Sequence, residues 1–249
     1  MTLLYAVLAG GNGSRMGDGP PKPLREIGRG HTLLSKLITN IQDSSSNARV
    51  IVNAGIGDTQ EKVREYIQEN FGDNVEVVGN KEEPNGTGHG VHTIWQYAQR
   101  EGYDFNKLGL FYGDVSSDPK SIGRIINQSS GLESVIGAFN TQSPTGKGRL
   151  VLDDGGKLIT KIVEERDCTD DERKIQLVNS GMGMFSRETL DVYFSHSHTY
   201  QGEWPFTNIV NLLQGRRNFG YTILDEHPGN YGANTKEELE KVIGHYSSK

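Results

Sequence analysis

The chain has 249 residues, of which 26 are Lys or Arg and 32 are Asp or Glu, giving a net charge of −6, and it carries one cysteine, Cys168. The acidic balance weighs against a dedicated nucleic-acid binder, a lone cysteine excludes an intrachain disulfide and a cysteine-based zinc cluster, and no apolar run is long enough to span a bilayer. The length suits one α/β domain with a sizeable core. The first apolar run, residues 3–9, follows no positive charge and so does not read as a signal peptide, which makes the cytoplasm the expected setting.

Read in chain order, short apolar runs alternate with helical patterns. Residues 3–9, 49–54 and 108–112 are continuously apolar, as parallel strands covered on both faces are. Further strands are predicted at 75–79, 134–139, 158–163, 176–185 and 219–225. Between them, three- and four-residue spacing predicts helices through Leu33, Leu34, Leu37, Ile38 and Ile41, through Val63, Ile67 and Phe71, through Val91, Ile94, Trp95 and Ala98, and through Ile122, Ile125 and Ile126. Asp154-Gly155-Gly156 reads as a hairpin turn. The last helix opens on Thr235-x-x-Glu238, a capping box, with Asp118-Pro119 marking another helix entry. The expected fold class is α/β: β-α units on a mainly parallel sheet, with a β-rich lobe in the second half.

The first strand ends in a glycine-rich turn, Gly10-Gly11-Asn12-Gly13-Ser14-Arg15-Met16-Gly17, whose backbone N–H groups could wrap an anion. A dinucleotide fingerprint would need a third glycine where Met16 stands, and an acidic residue near Asn53-Ala54-Gly55. A P-loop would need a Gly-Lys-Ser/Thr ending, and there is none. Arg15 within the turn, and Lys22 between Pro21 and Pro23, instead suit a triphosphate. His89 and His92 lie three apart on one helix, a spacing that packing explains better than a metal. His196, His198 and Cys168 fall in polar loops.

These stretches together resemble the sugar-phosphate nucleotidyltransferases, or nucleotide-sugar pyrophosphorylases. The resemblance rests on Leu8-Ala9-Gly10-Gly11-x-Gly13-x-Arg15-Met16 with Pro21-Lys22-Pro23-Leu24. It extends through Gly86-Thr87-Gly88-His89, Tyr112-Gly113-Asp114, Gly146-Lys147-Gly148-Arg149, Ile162-Val163-Glu164, Asn179-x-Gly181, Gln201-Gly202-Glu203 with Thr207-Asn208, and Gly232-Ala233-Asn234. The order of these motifs narrows it to the N-acetylglucosamine-1-phosphate uridylyltransferase domain of bifunctional bacterial enzymes, here expected without the β-helix acetyltransferase.

The resemblance implies a Rossmann-like three-layer αβα fold in one domain, with 1–115 mainly nucleotide-binding and 116–249 mainly sugar-phosphate-binding. The implied reaction joins a sugar 1-phosphate, such as N-acetylglucosamine 1-phosphate, to a nucleoside triphosphate, such as UTP. The same chemistry with dTTP or CTP, or a non-catalytic nucleotide-sugar binder, is the alternative. Arg15 and Lys22 would be catalytic, holding the triphosphate. Leu8, Ala9, Gly10, Gly11, Gly13, Lys81, Gly86 and Thr87 would bind nucleotide, and Tyr112, Gly148, Glu164, Asn179 and Thr207 the sugar phosphate. Mg²⁺ would be held by Asp114, at the carboxyl edge of a buried strand, and by Asn234. Lys81 stands where relatives carry a glutamine that reads uracil. Lysine has three donors and no acceptor, so relaxed base discrimination is expected. Pro205 stands where relatives tend to have Tyr, at the sugar's phosphate.

Overall fold

The computed structural model describes residues 2–11, 19–82, 86–196, 203–230, 232–233 and 235–247. Strand β1 (Leu3–Leu8) sorts its side chains between two separate apolar clusters. Leu4 and Ala6 enter one and Tyr5 and Val7 the other, all four at most 1% exposed. The Tyr5 side is covered by α1 (Leu33–Ser44), α2 (Gly57–Phe71) and α4 (Pro119–Ser129), through Leu37, Val63 and Ile122 among others. The Leu4 side is covered by α3 (Thr87–Arg100), α5 (Arg187–His196) and α6 (Asn208–Leu213), through Ile94, Phe194 and Ile209. A sheet buried on both faces between two helix layers is the three-layer αβα arrangement, and it explains why the strand runs are continuously apolar.

The central strands are parallel: β6 (Lys107–Tyr112), β1, β4 (Arg49–Asn53) and β5 (Val75–Val78) lie side by side in that order. On the other side of β6 runs β10 (Leu177–Ser186), antiparallel both to β6 and to β7 (Ser134–Asn140), and β11 (Phe219–Ile223) pairs parallel with β7. The hairpin of β8 (Arg149–Leu152) and β9 (Ile159–Val163) leaves the sheet, joined to β10 only where Val178 faces Arg149, and forms the added β lobe. A small β2–β3 pair (Glu26–Gly28 and His31–Thr32) packs under α7 (Lys236–Ser247) through Ile27 and Val242.

The expected strands all form, and the hairpin turns at Asp153–Leu158 as predicted. Asp118 caps α4 by accepting from the Ser121 N–H at 3.0 Å. At α7, Thr235 Oγ1 accepts from the Glu238 N–H at 3.2 Å while the Glu238 carboxylate accepts from the Thr235 N–H at 3.1 Å. Helices α5 and α6 and the β2–β3 pair were not expected. His196 is therefore the exposed last residue of a helix rather than a loop residue, and His198 lies outside the described residues. His92 stacks against Phe194 and Trp95, the packing role expected of it. Cys168 is buried; its Sγ lies 3.3 Å from the Glu164 carbonyl oxygen, and burial pushes the thiol pKa up. Among the described residues no helix is long and apolar enough to cross a membrane.

Candidate active site

Strand geometry brings the carboxyl ends of β6, β1, β4 and β5 to one edge, the place where open α/β sheets bind ligands. The backbone stitches the loops there together. Gly113 N–H donates to the Leu8 carbonyl at 2.8 Å, Ala9 N–H to the Asn53 carbonyl at 2.7 Å, and Asn80 N–H to the Gly55 carbonyl at 2.7 Å. Gly10 lies directly against Gly55, where a Cβ would come within 2.6 Å of the Gly55 Cα, so the close approach of these two loops requires glycine. Above this floor opens a cavity of about 420 Å³. Its wall includes Lys22, Pro23 and Asp114, the Leu8, Gly10 and Gly11 turn, and Asn53, Asn80, Gly86, Thr87 and Gly90.

Lys22 opens a short 3-10 turn, Lys22–Leu24, with Pro21 before it and Pro23 within it restricting the backbone on both sides of the lysine. Its side chain is 10% exposed and its Nζ lies 2.5 Å from Asp114 Oδ2. The pair joins a cation that can meet a phosphate to a carboxylate that can meet a metal ion.

The opposite wall is clamped. Gly86 precedes α3 at φ +92° and ψ 176°, a conformation that side-chain-bearing residues scarcely reach, and a Cβ there would lie 2.5 Å from the Trp204 carbonyl oxygen. Gly88 N–H donates to that same oxygen at 2.8 Å, and the Phe206 N–H donates to Thr87 Oγ1 at 2.9 Å. Gly86→Ala should therefore cost on the order of 1–3 kcal/mol of backbone strain, and it should push the 204–206 segment outward. Urea unfolding reads the first effect, and faster hydrogen exchange at the Phe206 amide, whose bond to Thr87 Oγ1 would loosen, reads the second.

A second cavity, of about 610 Å³, adjoins the first and shares Tyr112, Asp114, Glu164 and Thr207 with it. Thr207 Oγ1 donates to Glu164 Oε1 at 2.7 Å, which holds that carboxylate between the two spaces. Asn179 N–H donates to the Gly148 carbonyl at 2.8 Å, and Asn179 Oδ1 accepts from the Gly181 N–H at 3.0 Å. The Asn179 Nδ2 donors are thereby left for the cavity that Asn179 lines. Burial, the largest cause, with Glu164 and Asp114 nearby, pushes the Tyr112 phenol up to about 12, so it stays protonated and can donate. Below the turn carrying Gly148, the buried Arg149 donates to the Lys147 carbonyl and to Glu165 at 2.7 Å, and Glu165 also accepts from the Gly146 N–H at 2.9 Å.

Of the residues expected at the site, the structure gathers Leu8, Gly10, Gly11, Lys22, Gly86, Thr87, Tyr112, Asp114, Gly148, Glu164, Asn179 and Thr207 around these two spaces. Ala9 is fully buried beneath them. Lys81 is exposed and stands outside the residues lining either cavity. Gly13, Arg15 and Asn234 lie outside the described residues. Asn53 and Asn80 line the first cavity without having been expected there; the signal available was an asparagine at the carboxyl end of each of two neighbouring strands. Pro205, the noted departure, also faces the first cavity. Among the described residues no group of three or more His, Cys, Asp or Glu side chains could by itself hold a metal ion.

A family model described as a MobA-like NTP transferase domain matches residues 5–146, more than half of the chain. The chain belongs to this family. The bifunctional protein GlmU of Francisella philomiragia subsp. philomiragia is 29% identical over 220 residues, covering 86% of the chain but 45% of that protein. A protein of Acanthamoeba polyphaga mimivirus named as a probable UDP-N-acetylglucosamine pyrophosphorylase is 29% identical, with 96% of the chain and 94% of that protein covered. The chain thus spans about half the length of the bifunctional relatives it matches and nearly all of the viral one. Among solved structures, a nucleoside-diphosphate-sugar pyrophosphorylase from Vibrio cholerae RC9 superposes with a TM-score of 0.74 at 17% identity, over 97% of this chain and 99% of that one, a likeness of fold.

Proposed function

We propose that this NTP transferase moves a nucleotidyl group from UTP to a sugar 1-phosphate, N-acetylglucosamine 1-phosphate being the first candidate, and releases pyrophosphate. The observation that carries the reading is the meeting of two cavities over Asp114, Tyr112, Glu164 and Thr207, with Lys22 bonded to Asp114 at that junction. One space takes the triphosphate and the other the sugar phosphate. Residues 1–115 supply most of the first space and 116–249 most of the second, although Glu164, Glu203, Pro205 and Thr207 from the later half also line the first.

A phosphate oxygen of the sugar 1-phosphate attacks the α-phosphorus, a new P–O bond forms, and the bond to the β-phosphate oxygen breaks to release pyrophosphate. A phosphate monoester has a second pKa of about 6, so the nucleophile is already anionic near neutrality and needs no general base. Two polyanions must instead be brought together, a task of positioning and charge stabilisation. The glycine turn supplies backbone N–H groups to the triphosphate, and Lys22, with Arg15, supplies positive charge where pyrophosphate builds up. Asn179 and Glu164 orient the sugar.

Mg²⁺ fits the donor set. Asp114 presents a hard carboxylate oxygen to both cavities, and the ion asks for only one or two protein oxygens beside those of phosphates, with Asn234 as the second. When bound, the ion neutralises phosphate charge at the junction.

Pyrophosphate release across a matrix of triphosphates and sugar 1-phosphates tests the reading. UTP with N-acetylglucosamine 1-phosphate should give the highest kcat/KM, and no release with any pair would overturn it. Asn179→Ala should raise KM for the sugar phosphate by about 10-fold, the scale of one lost hydrogen bond. Because Asn179 lines the second cavity and not the first, the KM for the triphosphate should stay within about twofold, a scatter well below one hydrogen bond. Steady-state kinetics with each substrate varied in turn separates the two.

A further inference from the structure

We propose that Asn80, and not Lys81, reads the base, by donating from its side-chain Nδ2 to the 4-carbonyl of a uracil ring. This rests on the first cavity being the nucleotide site. Its support is a chain of hydrogen bonds whose directions are fixed. The Gly55 backbone N–H can only donate, and it does so to Asn53 Oδ1 at 3.3 Å. The other end of the Asn53 amide must therefore be its NH₂ group, which donates to Asn80 Oδ1 at 2.9 Å. Thr93 Oγ1 stands 2.9 Å from the same Oδ1, on its second lone pair, and 3.0 Å from the His89 carbonyl oxygen. The Asn80 oxygen is thus held on the protein side and its NH₂ is the remaining group.

Asn80 is 7% exposed, lines the first cavity, and its Nδ2 makes no hydrogen bond among the described residues. The amide is anchored through its oxygen, so its two Nδ2 donors are preorganised toward the cavity, where a ligand acceptor can meet them. Lys81, next in sequence, points out to solvent.

Position along the sheet edge says which part of the ligand is met. Strands β6, β1, β4 and β5 are successive neighbours. Asp114 follows β6 and Asn80 follows β5, three strand spacings or about 14 Å apart. Lys22, Asp114 and the glycine turn occupy the phosphate end, and Asn80 with Asn53 and Gly86 the far end, where the base must lie. A donor there accepts a ring with a carbonyl and repels one that presents an amino group. Uracil and cytosine differ at that position in just this way, since one carries O4 and the other an N4 amino group.

Asn80→Asp is the discriminating change. An aspartate keeps an oxygen for Asn53 and Thr93 but turns an acceptor toward the cavity. Binding of UTP and CTP, measured calorimetrically with Mg²⁺ and without sugar phosphate, should favour UTP by about 10- to 100-fold in the wild type, the cost of an unmet buried donor. In Asn80→Asp the ratio should collapse to near one or invert. Should that variant fail to fold by circular dichroism, Thr93→Val, which frees the Asn80 amide on one side, should narrow the ratio by several-fold. A wild-type preference for CTP, or for a purine triphosphate, overturns the proposal. So does a UTP preference untouched by Asn80→Asp or, where that variant does not fold, by Thr93→Val, and so does one that moves with Lys81→Gln instead. Because the readout is nucleotide binding alone, the expected ratios without pyrophosphate release would leave this inference standing and defeat the proposed reaction.

Discussion

Asp114→Asn is expected to lower turnover by at least about 10²–10³ while sparing the fold, the scale set by removing one preorganised electrostatic group and exceeded when that group holds a metal ion. The carboxylate is placed at the one point both cavities share beside Lys22, so charge lost there is lost where attacking and leaving groups meet. Asparagine keeps the size and one acceptor oxygen, and the backbone around Asp114 is fixed independently, by the Ala233 N–H donating to its carbonyl at 3.0 Å. Nucleotide affinity should fall much less than rate, because Lys22 and the Gly10–Gly11 backbone remain. Initial rates against Mg²⁺ concentration, with circular dichroism alongside, provide the check. A variant retaining more than about a tenth of the wild-type rate at saturating Mg²⁺ would be far short of the expected loss, and would remove Asp114 from the metal site.

Lys22→Met should cost turnover on a similar scale, about 10²–10³, through a different parameter set. In the proposed reaction the ammonium meets the triphosphate, so KM for the nucleotide should rise as kcat falls. The substitution also strands the Asp114 carboxylate. A fully buried charge left without its partner costs about 3–5 kcal/mol, and the 29% exposure of the Asp114 side chain puts the present cost well below that. The sign is still testable: the double variant Lys22→Met/Asp114→Asn should be more stable to urea than Lys22→Met alone, although it is no more active. If the two changes add in stability, the 2.5 Å contact carries no coupling in solution.

Much of the fold was legible because burial on both faces leaves a plain mark. β1 and the middles of β4, β6 and β7 are apolar runs unbroken by a charged side chain, the pattern of strands covered on both faces. Helix α6 left no such mark: six residues hold less than two turns of periodicity. Helix α5 buries Leu190, Tyr193 and Phe194, and Ser186 caps its start by accepting from the Thr189 N–H at 3.1 Å, but a lone serine with no Glu or Gln three residues later marks a helix entry only weakly in sequence. At the site, the glycine turn and Lys22 could be read from local sequence. Their assembly with Asp114 could not, since the two ends of that ion pair lie 92 positions apart. Lys81 was singled out by its distance from Gly86 along the chain. The register of a loop leaving a strand decides which of two neighbouring side chains turns inward, and here it is Asn80.

The stretch from Trp204 to Thr207 touches both halves of the chemistry. Its backbone grips Gly88 and Thr87 beside the first cavity, and its last side chain holds Glu164 between the first cavity and the second. If the proposed substrates both bear on this short piece of chain, any shift that one imposes on it is felt by the other. Whatever factor the first gains or loses by setting that piece, the second returns in equal measure, whichever arrives first. In the proposed reaction, a few hydrogen bonds at the start of α3 would then link the occupancy of the two cavities.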